Sequence, residues 1–414
     1  MKYNFNKMFG LLFLALSLWG CQSSDEEPEL VLKERKDIVL SRSEEVILDK
    51  SFDFAFQLFQ QVNNAETEKP NWMISPLSMS YALGMMANGA SGNTLDEIKT
   101  VLGHKDVSME ELNAYYKMLT ASLLDLDNST QIGIANSLWT RAGFPVKESY
   151  VSTVKEVYDA DVDELSDSPE SAMKDINRWC AEKTDNLIPK IYNEPISNDI
   201  KMVLINALSF KGIWKDSFDK SHTRKDDFFN ADESVSKVDM MLQNEAYRRV
   251  GDDNWEALEL PYGNEAFSMV IMMPAEGLSL NEEICKLTGA DWKMWNEKLD
   301  ESHRQFFDLK FPRFEMNYQK DMIDILVGMG IKDVFKGNAD FSKLTSNSVS
   351  VQLLNQHTYI KVDEEGTTAA VVTNGEVLDT WSPSPDFFVN RSFLYFIKEK
   401  STNAILFMGK ITKL

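Results

Sequence analysis

VDEEGTTAAVVT, residues 362–373, is the stretch on which the reading of this chain turns. Three acids, Asp363, Glu364 and Glu365, stop at Gly366, and the eight residues 367–374 carry no charge. They are threonine, alanine, valine and asparagine. Threonine and valine favour pleated backbone, and no charge would need desolvating on either face. Such a segment can sit in water as a loop or lie buried in the middle of a sheet. Glu376 is the first residue that opposes burial. A strand continuation or a flexible connection can have the same composition. A segment with two such homes nevertheless suggests a conformational switch.

The N-terminus has Lys2 and Lys7, an apolar run over 8–19, and Gly20-Cys21. That run is too short to span a bilayer comfortably and reads as a secretory signal. A small residue before a cysteine at its end is similar to a bacterial lipoprotein signal, with Cys21 as the lipidated residue. An ordinary signal peptide with an incidental cysteine is the other reading. Residues 22–29, QSSDEEPE, have no apolar periodicity and read as a solvated tether. The expected division is a signal over 1–20, an acidic tether over 21–36 and a single domain over 37–414.

No Pro/Gly/Ser-rich break or internal repeat divides the later chain, so one large unit is expected despite its length. The net charge of −22, or −24 once Lys2 and Lys7 are removed, disfavours nucleic acid as a partner. Cys180 and Cys285 do not make a disulfide framework, and no metal-ligand spacing is present, so no cofactor is expected.

Periodicity predicts helices over 37–62, from Pro76, over 109–125 and over 171–191, with Asn93 or Thr94 capping another and Cys180 a core residue. It predicts strands over 131–140, 201–214, 235–242, 255–260, 267–273, 350–362, 393–397 and 404–411. A short helix is expected near 322–329, with Asp321 as its cap. Helices concentrate early and strands late, which indicates α+β rather than doubly wound α/β. The four histidines, His104, His222, His303 and His357, form no HExxH pair, and no phosphate loop or nucleophile elbow is visible. No catalytic residue is assigned, and the chain is not expected to be an enzyme.

Several further segments fall into a known order. NWMISPLS at 71–78, NALSFKGIW at 206–214 and LKFPRF at 309–314 precede the hinge-like EEGTTAA at 364–370. NRSF at 390–393 and FMGK at 407–410 follow it. Together they resemble the serpins over nearly everything after about residue 40. The resemblance implies a large central β-sheet with further sheets, about eight to nine helices, and an exposed reactive loop over about 366–388. It implies a serine-type endopeptidase inhibitor that works as a suicide substrate. The protease cuts the loop, becomes acylated, and is trapped when the freed hinge enters the sheet as a new strand. The alternative within the same fold is a non-inhibitory binding protein at the cell surface.

The resemblance assigns the hinge to Glu364, Glu365, Gly366, Thr367, Thr368, Ala369, Ala370, Val371, Val372 and Thr373. It places Ser75, Ser78, Asn206, Trp214 and Gln356 at the shutter and breach, where the new strand enters. Many serpins have a histidine at the position of Gln356, and here His357 stands beside it. The loop is one residue longer than in well-known inhibitory members. Counting forward from the hinge puts the scissile bond at Thr380-Trp381, whereas counting back from Asn390 puts it one residue later. No Lys or Arg lies between Lys361 and Arg391. Elastase- and chymotrypsin-like proteases are therefore expected as partners, and trypsin-like ones are not. Papain-like cysteine proteases remain open. A monomer touching the membrane only through its lipid is expected, as an outer-membrane lipoprotein facing the cell surface or periplasm.

Overall fold

Met202–Ile213 is buried along almost its whole length and organises the molecule, as its apolar sequence demands. In the computed structural model, which describes residues 31–367 and 385–414, this strand lies inside a six-stranded sheet. The order is Phe314–Asp321, Asn355–Asp363, Gly366–Thr367, Met202–Ile213, Thr130–Arg141 and Asp161–Leu165. Side chains alternate between two separate cores. Leu204, Leu208 and Phe210 join the larger one, beside the helices Arg42–Ala65 and Pro76–Gly89. Val203, Ile205 and Ala207 join the smaller one with Ala172, Ile176, Trp179 and Cys180 of the helix Pro169–Lys183. A second, nine-stranded sheet contains the closing pair Phe393–Glu399 and Ile405–Ile411. Nine α-helices occur among the described residues, and the fold is α+β.

Several boundaries differ from the sequence expectation for local reasons. The first helix begins at Arg42 because Ser41 and Glu44 form a reciprocal capping box. The next short helix is Gly92–Val101, with Ser91 at its N-cap rather than Asn93 or Thr94. Glu97 instead accepts the backbone N–H groups of Lys332 and Asp333 at 2.7 and 2.8 Å. The helix expected over 171–191 is Pro169–Lys183. Asp185 and Asn186 adopt φ values of 49° and 60° and turn the chain away from helical geometry. The strand expected over 350–362 is Asn355–Asp363, and the one expected over 235–242 runs on as Val235–Gly251. Met322, not Asp321, is the N-cap of Ile323–Met329, although Asp321 accepts the Ile323 N–H at 3.0 Å. Glu148–Tyr158, Leu280–Ile284 and Gly289–Glu301 are helices that periodicity did not bring out.

One margin of the six-stranded sheet is Asp161–Leu165, with Asp163 and Glu164 exposed. In its middle, Asn355–Asp363 and Met202–Ile213 run parallel and pair directly only at His357 and Ala207. Toward one end they part, and Gly366–Thr367 lies between them.

Candidate functional site

The acids at 363–365 turn the chain so that Gly366 and Thr367 run antiparallel to both flanking strands. Thr367 pairs with Val362 and Gly212, and Gly366 with Asp363 and Ile213. Gly366 has φ +149°, and a Cβ there would meet Gly212 O and lie 2.7 Å from Ile213 Cα, so only glycine fits this pivot. Thr367 is 0% exposed, and its hydroxyl lies 2.7 Å from the Tyr262 hydroxyl. Tyr262 stacks on Trp214, with ring centroids 4.4 Å apart and planes at 10°. Trp214 Nε1 donates to Asp363 O at 3.0 Å, and its backbone N–H donates to Glu365 O at 2.9 Å. Aromatic surface and backbone bonds thus hold the turn from both sides.

Glu364 anchors the turn from below. Its carboxylate is buried and accepts from Arg313 Nε to both oxygens at 2.8 Å, and from the Thr223 hydroxyl. Burial alone would raise its pKa, but the hydrogen bonds from Arg313 and Thr223 outweigh that and hold it below the usual carboxylate range. Lys220 pairs with Glu365 at the surface. Replacing Arg313 by methionine strands the Glu364 carboxylate with Thr223 alone. Because the guanidinium is partly solvated, the expected loss is about 2 kcal/mol, below the range for a fully buried pair. A lowered urea midpoint in Arg313→Met, partly restored in Arg313→Lys, checks this. The carboxyl's folded pKa is lowered, so the pair stabilises above the ordinary value of 4.5 and its contribution fades as pH falls below it.

A second polar group lies under the middle of the sheet. Ser75 caps the helix Pro76–Gly89 by accepting the Ser78 N–H at 3.1 Å. Gln356 accepts the Ser75 N–H at 3.1 Å and donates to Ser75 O at 2.8 Å. The carboxamide therefore ties Asn355–Asp363 to the start of this helix. Ser78 donates to Asn206 Oδ1, Asn206 donates to Asn136, and Asn136 donates to Tyr158 O at 2.7 Å. Gln356 reaches the Ser75 backbone, whereas Asn206 is held by Ser78 and Asn136.

The fold thus gathers Glu364, Glu365, Gly366, Thr367 and Trp214 at one end of the gap, and Ser75, Ser78, Asn206 and Gln356 at its closed middle. Thr368, Ala369, Ala370, Val371, Val372, Thr373, Thr380, Trp381 and Cys21 lie outside the described residues. The sequence reading did not single out Arg313, Tyr262, Thr223, Lys220 or Asn136. Arg313 is a lone cation between apolar residues in LKFPRF, and Asn136 is a polar residue on the inward series of its strand, so both left a signal. Tyr262, Thr223 and Lys220 left none.

A family model described as Serpin (serine protease inhibitor) matches residues 49–414. Serpin B4 of Homo sapiens is 32% identical, over 87% of this chain and 97% of its own length. Leukocyte elastase inhibitor of Xenopus tropicalis is 32% identical, over 86% of this chain and 96% of its own. Among solved structures, the native state of the thermophilic serpin tengpin superposes with a TM-score of 0.81 at 29% identity, covering 92% of this chain and 97% of that one. Human thyroxine-binding globulin has a TM-score of 0.81 at 26% identity, covering 89% of this chain and 99% of its own. The match across most of the sequence, together with the parted central strands and the glycine pivot between them, means that this chain belongs to the serpin family.

Proposed function

We propose that this protein inhibits serine proteases as a suicide substrate, and that the gap occupied by Gly366–Thr367 is the entrance for the cut loop. The observation that carries this is the double pairing of those two residues between strands that touch again only at His357 and Ala207. Continued in the same register, Ala369 would lie between Phe210 and Ile360, and Val371 between Leu208 and Thr358. Thr373 would lie between Asn206 and Gln356, bringing a hydroxyl to the polar group there. Asn374 would face Asn355, where the partner strand begins. Glu376, the first charge, would come after that strand has ended, so insertion would bury no carboxylate.

The protease serine Oγ would attack the carbonyl carbon of Thr380, forming an ester as the amide bond to Trp381 breaks and the new amine leaves. Entry of residues 368–374 would then carry the ester-linked enzyme away from its cleavage geometry before water could hydrolyse it. The driving force would be strand pairing unmade in the intact chain. The absence of Lys and Arg between Lys361 and Arg391 supports elastase- and chymotrypsin-like targets. Cys21 would hold the inhibitor on the cell surface or in the periplasm, joined to the domain by its acidic tether.

Incubation with elastase, chymotrypsin and trypsin tests this. Complexes that survive boiling in detergent are expected with the first two and absent with trypsin. Cleavage of the loop by elastase with no covalent complex would overturn the inhibitory reading. It would instead favour a non-inhibitory binding protein on the same fold.

A further inference from the structure

Gln356 and His357 are neighbours on one strand, so their side chains leave the sheet on opposite faces. Gln356 goes to Ser75, as described above. His357 goes to the other face, beneath the segment that follows the helix Pro169–Lys183, and is 3% exposed. It forms a hydrogen bond with the Ile191 backbone, whose carbonyl also accepts from Gln319 Nε2 at 3.2 Å. The same segment is fixed by Asn177, whose Oδ1 accepts the N–H groups of Ile191 and Tyr192, each at 2.9 Å. His357 Nε2 is buried and has no hydrogen-bond partner among the described residues. This ring thus stands at the one register position where the two central strands touch, and under a segment clamped across them.

We propose that His357 is an acid-sensitive latch on the central sheet: neutral, it seals the strands together under residues 188–192, and protonated, it releases them. The proposal rests on the insertion reading above, because a strand entering beyond Thr367 must part His357 from Ala207. In the extended register Val372 would take the place between them.

The groups around the ring come from four elements. Its own strand offers Tyr359, with Lys361 further toward the breach, and the strand Phe314–Asp321 offers Gln319 and, at its end, Asp321. Met202–Ile213 offers Ala207, with Lys211 also toward the breach. The covering helix and segment offer Cys180, Tyr192 and, at the surface, Lys190. Burial raises the Cys180 thiol and the Tyr359 phenol to about 12 and pushes Tyr192 higher still, so none of these ionises in mild acid. Desolvation, only partly offset by the Ile191 bond, lowers the His357 pKa to about 4. An opened sheet would let the ring titrate near its usual 6.5. The open state therefore takes up a proton that the closed state refuses, and gains on it as pH falls from about 6.5 to about 4.

The experiment holds intact, uncut protein at pH 7.5 and pH 4.5, returns it to pH 7.5, and follows the fraction that has become the higher-melting, loop-inserted form. Conversion at least about tenfold faster at pH 4.5 is expected for the wild type, since each unit of pKa difference allows up to a tenfold change. His357→Phe should abolish that ratio, and His357→Gln serves if the phenylalanine variant does not fold. His104→Gln should keep it, although His104 is likewise buried with its pKa lowered to about 4, because it lies away from the central strands. An unchanged acid response in the His357 variants, or its loss in His104→Gln, overturns the latch alone. A wild type that converts at neither pH also overturns the latch alone, because the insertion proposed above follows cleavage, whereas failure to capture proteases with conversion intact overturns only the inhibitory reading.

Discussion

Thr367→Arg is expected to yield a protein that elastase cuts at the normal rate but no longer captures. Thr367 is enclosed between Gly212 and Val362, with its hydroxyl against Tyr262. Among the described residues its side-chain partner is the Tyr262 hydroxyl rather than a carboxylate, so arginine would have to bury an unpaired charge under the Trp214–Tyr262 stack or leave the gap. Burying such a charge costs several kcal/mol. Each 1.4 kcal/mol added to the barrier for entry slows insertion about tenfold relative to hydrolysis of the acyl-enzyme. The number of inhibitor molecules consumed per elastase inactivated should therefore rise by about tenfold or more. Thr367→Val keeps the shape and loses only the bond to Tyr262, so it should change that number little. Full capture by Thr367→Arg, measured by titrating residual elastase activity, would mean that trapping does not require this residue to enter the sheet.

The second large effect is thermal. On the proposed mechanism, cutting the loop between Thr380 and Trp381 would free residues 368–374 to pair on both sides, and the protein should then melt well above the intact form. The seven added residues can make backbone bonds to two strands at about 1 kcal/mol each, offset by the entropy of ordering them. A net gain of about 5 kcal/mol would raise the midpoint by about 6 °C in a chain of this size. Scanning calorimetry of intact and elastase-nicked samples decides it. Coincident transitions would remove the driving force on which the proposed mechanism depends.

The turn at Glu364–Gly366 was legible in sequence because its signal is local, acids and then a glycine; the uncharged run beyond Thr367 lies outside the described residues. The pivot at Gly366 follows from the backbone freedom of glycine, and the interior place of Met202–Ile213 from its apolar run. The helix start at Ser75-Pro76 was equally open to reading, whereas the starts after Ser41, Ser91 and Ser168 were expected elsewhere. Boundaries failed where tertiary contacts decide them. Nothing in the periodicity of 171–191 announces that Asp185 and Asn186 take left-handed backbone, and Gly289–Glu301 was passed over although Thr288 and Asp291 form its capping box. The clamp on Glu364 was hidden for another reason. Arg313 and Thr223 come from distant parts of the chain, and only the folded sheet brings them to one carboxylate. Counting assigned Gln356 its place, but which group it would grip depends on the helix start at Ser75.

The rim formed by Asp161–Leu165 has a consequence for life at high local density. A sheet that admits one more strand, as proposed above, would invite the wrong guest when many copies crowd together. On that outer side Asp163 and Glu164 meet any approaching backbone with negative charge, which discourages edge-to-edge pairing. The position that the proposed insertion would use is instead internal, closed at its middle by the pairing of His357 with Ala207.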